Sequence, residues 1–244
     1  MGDLMGLKRL NVVMANVVVR SAQSLTLAEK RILIAGIAKL RGKNEMVTLS
    51  AQEYAETYDV SLNTAYSQLK TAVENIFERY MQFQVSDGKT EGVSRIRWID
   101  GYKYFDEEGY VRFGFGNQIF PYLFELNQGF FTKYQLKQAA ALRSVHSWRM
   151  LELFEQMRPE KNNQKPNDGW LHIPLEEFWH AMEATESYKS NFGLLRKWVI
   201  EPAVTELTEK DNWVIEWEAI KRGRKVVAIK FKFERSPQQK LHLE

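Results

Sequence analysis

The sequence predicts an α+β protein made of two tandem winged-helix domains, which are related by a diverged internal repeat. Two observations lead to this prediction. A short helix, a turn, a longer helix and a hairpin of strands follow one another in the first half of the chain, and the same order returns in the second half. The length of 244 residues, with 44% hydrophobic residues, is enough for two domains of about 100 to 200 residues each.

The first domain opens with a predicted strand and a predicted helix. Residues 12–19 are rich in valine and indicate a short strand around Asn16. Thr26 and Glu29 have the spacing of a capping box, in which each side chain bonds the other residue's backbone N–H at a helix start. A helix is therefore expected from this point to about Leu40, with one buried face.

A helix-turn-helix is predicted next. Ser50 and Glu53 form a second capping box that opens a short helix to Tyr58, and a longer helix follows from Leu62 to about residue 80. The apolar residues of the longer helix form one stripe, and its opposite face is polar and uncharged. An ordinary polar surface explains that face as well as DNA contact does, so this domain is expected to add little base specificity. Its candidate DNA-binding residues are Ser61, Thr64, Ser67 and Gln68, with Lys70 at the flank.

Three strands are predicted after this helix, over residues 81–85, 93–104 and 110–115, and the last two form the wing of the fold. The turn between them contains the carboxylates of Asp106, Glu107 and Glu108, which would repel phosphate. The strands beside this turn are rich in aromatic residues. We therefore expect the first domain to provide a self-association surface through a paired strand edge.

The order of elements begins again near Thr132. Helical periodicity is predicted from there to Phe154, followed by a polar loop over residues 160–169 and a strand over residues 171–174. A short helix from Leu175 and a longer helix from Tyr188 then repeat the helix-turn-helix. The predicted domains are residues 1–130 and residues 131–244. Three apolar residues of each long helix align at one constant spacing: Tyr66, Leu69 and Val73 with Phe192, Leu195 and Val199.

The second long helix carries side chains that can recognise bases. Arginine and lysine donate to guanine O6 and N7, and asparagine pairs with adenine. A solvated charged face would explain such residues on an isolated helix, but the basic hairpin that follows favours DNA. Pro202, further along, removes a backbone donor and is expected to kink or restart the helix. The residues on or beside the face opposite Phe192 are Lys189, Ser190, Asn191, Arg196 and Lys197.

A basic wing tip is predicted between strands over residues 213–220 and 226–233. Gly223 permits a tight turn there, and lysines or arginines occupy the other four positions of residues 221–225, which suits contacts with phosphates. Protection of a strand edge by lysine is the alternative, but it needs fewer cations. The candidate phosphate-binding residues are Arg222, Arg224 and Lys225.

Composition excludes other classes of function. The chain has no cysteine, so it offers neither a disulfide framework nor a thiolate metal site. It has no leader-like segment and no apolar run of about 18 residues, so a cytoplasmic location without membrane contact is expected. Its four histidines are scattered, and it lacks phosphate-loop and hydrolase motifs. We expect no enzymatic activity, no cofactor and no metal.

Four segments resemble the Rep initiator family of iteron-containing, theta-replicating plasmids, and the resemblance covers nearly the whole chain. The two specific segments are residues 195–204 and residues 223–233, at their present spacing. Residues 25–33 and 144–153 add to the likeness. Trp148, Met150 and the helix end at residues 205–208 depart from the common family pattern, which affects the expected base preference.

This resemblance implies a monomer that binds direct repeats, or iterons, at a plasmid origin in double-stranded DNA through both domains. It implies that the protein helps to open the origin and recruits the host initiator ATPase and the replicative helicase. It also implies a homodimer through the first domain that represses the initiator's own promoter. A transcriptional repressor with no replication role is the first alternative, and a winged-helix protein scaffold without DNA is the second. The basic wing tip argues against the scaffold.

Overall fold

The computed structural model describes residues 6–43, 45–105, 107–124, 126, 130–158 and 168–236. The chain divides into two units, Met1–Val145 and His146–Glu244. The expected division lay after residue 130, so the first unit is longer than the sequence indicated. The predicted tip residue Asp106 and the predicted loop residues 160–167 lie outside the described residues.

The first unit begins with strand β1 (Asn11–Ala15), helix α1 (Asn16–Arg20) and helix α2 (Leu27–Lys39). The strand expected over residues 12–19 is wrong in its second half, because the chain becomes helical at Asn16. Burial of Val18 and Val19 outweighs the preference of valine for strands. The capping box of α2 is confirmed: the Glu29 N–H donates to Thr26 Oγ1 at 3.3 Å, and the Thr26 N–H donates to Glu29 Oε2 at 2.9 Å.

The helix-turn-helix of the first unit is confirmed. Strand β2 (Met46–Ser50) leads into helix α3 (Ala51–Tyr58), which has the capping box expected at Ser50. Asp59 has a left-handed backbone with a φ of 53°, which ends α3 and turns the chain into helix α4 (Leu62–Glu78).

Strands β3 (Tyr80–Ser86), β4 (Glu91–Arg97), β5 (Ile99–Phe105) and β6 (Tyr110–Phe115) follow. The single strand expected over residues 93–104 is wrong, because β4 pairs with β3 while β5 joins the three-stranded sheet β2-β6-β5. Trp98 separates the two strands. Its side chain is buried, so the chain bends inward there and changes sheets.

The first unit closes with strand β7 (Phe131–Gln135) and helix α5 (Leu136–Ala140). Strand β7 pairs antiparallel with β1, with Val12 opposite Tyr134. The helical periodicity predicted from Thr132 is therefore wrong at its start, because residues 131–140 complete the first unit. The repeat begins at helix α6 (Val145–Gln156).

The second unit repeats the winged-helix order. After α6 come strand β8 (Asp168–Pro174) and helices α7 (Leu175–Met182), α8 (Glu186–Ser190) and α9 (Phe192–Leu195). A π-helical turn (Arg196–Ile200), helix α10 (Glu201–Asp211) and strands β9 (Trp213–Arg222) and β10 (Lys225–Arg235) follow. The sheet order β8-β10-β9 matches β2-β6-β5, which confirms the predicted internal repeat.

The two sheets bury equivalent residues. Leu49 lies opposite Val111 in the first sheet, and Ile173 lies opposite Ile229 in the second, and all four side chains are buried. The second core is largely aromatic, with the rings of Phe154 and Phe233 stacked at 4.3 Å between centroids. Each sheet therefore has one face against its helices, and this packing holds a long helix and a wing in place.

Candidate nucleic-acid interface

The long helix of the second unit is interrupted near its start. Helix α8 ends at Ser190, and Asn191 has an extended backbone with φ −137° and ψ 98°. The Leu194 N–H donates to Asn191 Oδ1 at 3.3 Å, so Asn191 caps α9. The continuous helix expected from Tyr188 is therefore wrong: the chain starts a helix at Glu186 and again at Phe192. We call α9, the π-helical turn and α10 together the reading helix.

The interruption separates the predicted base-contacting residues into two groups. Lys189 and Ser190 lie on α8, where Lys189 Nζ is 2.7 Å from Glu186 Oε1 and the Ser190 hydroxyl donates to the Ser187 carbonyl at 3.1 Å. These bonds are exposed, and an exposed ion pair of this kind contributes little to stability. Both side chains can therefore exchange these partners for DNA at small cost.

Arg196 and Lys197 lie on the π-helical turn, and both are exposed. Arg196 Nε donates to Glu201 Oε1 at 2.6 Å, and its guanidinium carbon is 5.9 Å from the ring centroid of Trp217 on β9. Lys197 Nζ is 5.0 Å from the ring centroid of Trp198. The contact of Arg196 with Trp217 places the basic face of the reading helix next to the wing.

The wing tip is a two-residue turn. Arg222 pairs with Lys225 across β9 and β10, which leaves Gly223 and Arg224 as the turn. Gly223 has a φ of 63°, a backbone that glycine adopts without steric cost. Arg222, Arg224 and Lys225 are exposed, and none of them makes an ion pair with another described residue. The positive charges of these three residues are therefore not paired with a carboxylate of any described residue.

Most candidate DNA-binding side chains of the first unit already contact other residues of that unit. Ser61 caps α4: its Oγ accepts from the Thr64 N–H at 3.1 Å and lies 2.8 Å from Thr64 Oγ1. The Tyr54 hydroxyl donates to Gln68 Oε1 at 2.7 Å, so Gln68 joins α3 to α4. Lys70 Nζ is 5.2 Å from the Tyr104 ring centroid. Ser67 is exposed and makes no side-chain hydrogen bond within the described part of the chain.

The wing tip of the first unit packs back onto its helices. The Ala51 N–H donates to the Gly109 carbonyl at 2.8 Å, and the ring of Tyr66 on α4 lies against Gly109. Glu107 and Glu108 are exposed at this tip. Its described carboxylates are poor partners for phosphate, as the sequence indicated.

Trp198 is a candidate that the sequence analysis did not select. Its side chain is 55% exposed on the reading helix, between basic residues and the start of α10. The kink or restart predicted at Pro202 corresponds to this π-helical turn and the start of α10, and it is the sequence signal that could have pointed to Trp198.

The described residues have neither a membrane-spanning helix nor a cluster of metal ligands. They contain no helix that is both long and apolar enough to span a membrane. They also contain no group of three or more histidine, aspartate or glutamate side chains placed to hold a metal ion.

Family profiles and solved structures match this chain. The profile of the initiator replication protein WH1 family matches residues 11–155, and the profile of the initiator Rep protein WH2 family matches residues 174–233. No curated protein matches the chain. The chain in the crystal structure of the Pi initiator protein in complex with iteron DNA is 20% identical to this chain. The match covers 94% of this chain and 98% of the Pi chain, with a TM-score of 0.76.

A second solved structure is the WH1 domain of a replication protein isolated from a multiple sclerosis patient. It is 26% identical, covers 40% of this chain and 79% of its own, and has a TM-score of 0.35. The Pi initiator likeness establishes a fold of two tandem winged-helix domains. The two profiles match consecutive parts of the chain, one for each winged-helix domain. The chain therefore belongs to the family of initiator replication proteins.

Proposed function

We propose that this initiator replication protein binds direct repeats at a plasmid origin in double-stranded DNA. The observation that carries the proposal is the surface formed in the second unit by the reading helix and the basic wing tip. Arg196 contacts Trp217 on β9, so helix and wing present their cations on adjoining surfaces. The solved Pi initiator was crystallised with iteron DNA, which supports the same class of target here.

In this proposal, helix and wing have different roles. Arg196 and Lys197 recognise base edges in the major groove, where guanine offers two acceptors to such donors. The wing tip contacts phosphates through Arg222, Arg224 and Lys225. No described carboxylate pairs with these side chains, and contacts with phosphates do not depend on the base sequence of the DNA. Lys189, Ser190 and Asn191, at the break before the reading helix, complete the contact with bases or the adjacent backbone.

The first unit contributes an auxiliary DNA contact in this proposal. Ser67 presents its hydroxyl on the outer face of α4, and Ser61, Thr64, Gln68 and Lys70 lie along the same helix. Hydroxyl and amide groups of this kind bond phosphate oxygens without adding net charge. We therefore assign the main sequence specificity to the second unit.

We also infer a homodimer through the first unit. Strand β4 pairs only with β3 among the described strands, so one of its edges has unpaired backbone groups. Val93 on β4 is 51% exposed, so this strand carries an exposed apolar side chain. An unpaired apolar strand edge favours pairing with a second copy. By the family resemblance, such a dimer would repress the initiator's own promoter.

The remaining partners follow from the family resemblance alone. They are the host initiator ATPase and the replicative helicase, which the bound initiator would recruit in the cytoplasm after helping to open the origin. The protein itself would supply binding energy and no chemistry, so we expect neither DNA nicking nor ATP hydrolysis with magnesium and supercoiled plasmid.

The test is binding by the full chain to duplexes selected from a random pool. The expected result is one selected sequence that is bound as tandem direct repeats and that supports replication of a plasmid carrying the repeats and the gene. Binding confined to a single inverted repeat, with no replication, would instead indicate a transcriptional repressor. Failure to bind any duplex would contradict the proposal and favour a protein scaffold.

A further inference from the structure

Trp198 faces outward at a position where a regular helix would turn it inward. It lies three residues after Leu195 and directly before Val199, which are both buried. Residues three or four apart share one face of an α-helix, so Trp198 would lie beside Leu195 in regular geometry. The aligned residue of the first unit is Ala72 in the regular helix α4, and it is only 3% exposed. Trp198 is 55% exposed.

The π-helical turn explains this difference. The Glu201 N–H donates to the Arg196 carbonyl, five residues back instead of four. Pro202 has no N–H and cannot donate to the Trp198 carbonyl, so the α-helical pattern cannot continue through this point. The wider turn rotates Trp198 outward, so that it joins Arg196 and Lys197 in a run of three consecutive exposed side chains.

The surroundings of Trp198 are those of a contact residue. Lys197 Nζ lies 5.0 Å from the ring centroid, so the indole is next to a cation. Leu194, one turn earlier, is 36% exposed and extends the apolar strip along the reading helix. An indole that is half exposed gives up burial free energy that folding normally gains. A partner surface would recover that energy.

We propose that Trp198 recognises a thymine in the target repeat by packing its indole against the C5 methyl group in the major groove. This inference rests on the proposed function and goes beyond it. Thymine is the only base that presents an apolar group on the major-groove edge. The indole supplies a flat apolar surface there, and Lys197 and Arg196 supply donors for a neighbouring guanine or phosphate.

The experiment uses the full chain and the duplex repeat that the wild-type chain selects. Each thymine in turn is replaced by deoxyuridine, which lacks only the methyl group. We expect one position at which this change weakens wild-type binding about fourfold, the equivalent of one buried methyl group. Trp198→Ala should bind the unmodified repeat at least fourfold more weakly and should show no further loss with deoxyuridine at that position.

A matched control is Trp170→Ala, because Trp170 is 61% exposed on β8 and lies outside the proposed interface. This variant should bind like wild type and keep the deoxyuridine effect. Unchanged thermal unfolding of both variants excludes a folding defect. If Trp198→Ala keeps the same deoxyuridine effect, or weakens binding to single strands but not to duplex, the inference is wrong. A wild-type chain that selects no duplex would overturn the proposed function together with it.

Discussion

The ring of Tyr66 on α4 lies so close to Gly109 at the first wing tip that a β-carbon on the glycine would be 2.2 Å from it. The same glycine has a φ of 63°, which other residues adopt only at a cost. This contact joins the helix and the wing of the first unit. Gly223, at the second wing tip, also has a φ of 63°, but nothing lies within 4 Å of its β-carbon position.

The two glycines allow backbone strain and crowding to be measured separately. We expect Gly223→Ala to lower the free energy of unfolding by about 1 to 2 kcal/mol through its φ alone. Gly109→Ala should cost about 1 to 3 kcal/mol more, because the added methyl displaces Tyr66. Urea unfolding of both variants measures the difference. Equal losses would show that Tyr66 moves away without cost.

The reading helix and the second wing should differ in how they affect specificity. Arg196→Ala or Lys197→Ala should cost about 1 to 3 kcal/mol on the selected repeat and much less on random duplex. Arg224→Ala combined with Lys225→Ala should weaken binding to both and reduce the salt slope by roughly two. Fluorescence anisotropy at several salt concentrations measures both effects.

The control for this comparison is Lys232→Ala, which removes a cation from β10 beyond the wing tip, opposite Trp170 on β8. It should leave the salt slope unchanged. Equal losses on both DNAs for every helix variant would refute the division of roles between helix and wing.

Self-association should depend on the edge of β4. Val93→Asp replaces the exposed apolar side chain of β4 with a carboxylate, and charge on an edge strand opposes pairing. We expect sedimentation equilibrium of the full chain to show a shift from dimer toward monomer. Val214→Asp is the matched control, because Val214 is 54% exposed but lies on β9 of the second unit. A dimer that withstands Val93→Asp and dissociates with Val214→Asp would assign the interface to the second unit.

His146 should make stability depend on pH. Burial lowers the pKa of this imidazole below its ordinary value of 6.5; the Glu183 carboxylate opposes that shift and the Arg149 guanidinium adds to it. The unfolded chain therefore takes up a proton at higher pH than the folded chain. The resulting stability is fully present above pH 6.5 and is lost as the pH falls through the lower folded pKa.

Urea unfolding at several pH values between about 8 and about 5, a range that spans the ordinary histidine pKa, measures this effect. We expect His146→Gln to have a flatter pH dependence than wild type. His172→Gln, which removes an exposed imidazole from β8, is the control. An unaltered pH dependence in His146→Gln would show that the imidazole titrates alike in both states.

Features that depend on neighbouring residues were predicted correctly from the sequence. Features that depend on contacts between distant parts of the chain were not. The capping boxes at Thr26 and Ser50 depend on residues three apart, so the sequence predicted both helix starts. The separation of β4 from β5 depends on the burial of Trp98, which is a tertiary event. The pairing of β7 with β1 joins parts of the chain far apart in sequence, and no periodicity indicates it.

The same distinction applies to the candidate interface. The exposed cations of the reading helix and the wing tip were identified because spacing and composition reveal them. The break at Asn191 was missed, since an asparagine inside a helical pattern gives no strong signal. Trp198 was assigned no role, because its exposure results from a π-helical turn that periodicity arguments do not include.

The pairing of β1 with β7 also has a consequence for synthesis of the protein. Val12 lies opposite Tyr134, so among the described strands β1 gains its partner only after residues up to Tyr134 have been synthesised. At typical translation rates of about 5 to 20 residues per second, β1 waits roughly 6 to 24 s for β7. The first unit therefore completes its fold only shortly before the second begins to emerge. During that interval the apolar face of β1 is open to chaperones and to other nascent copies of the chain.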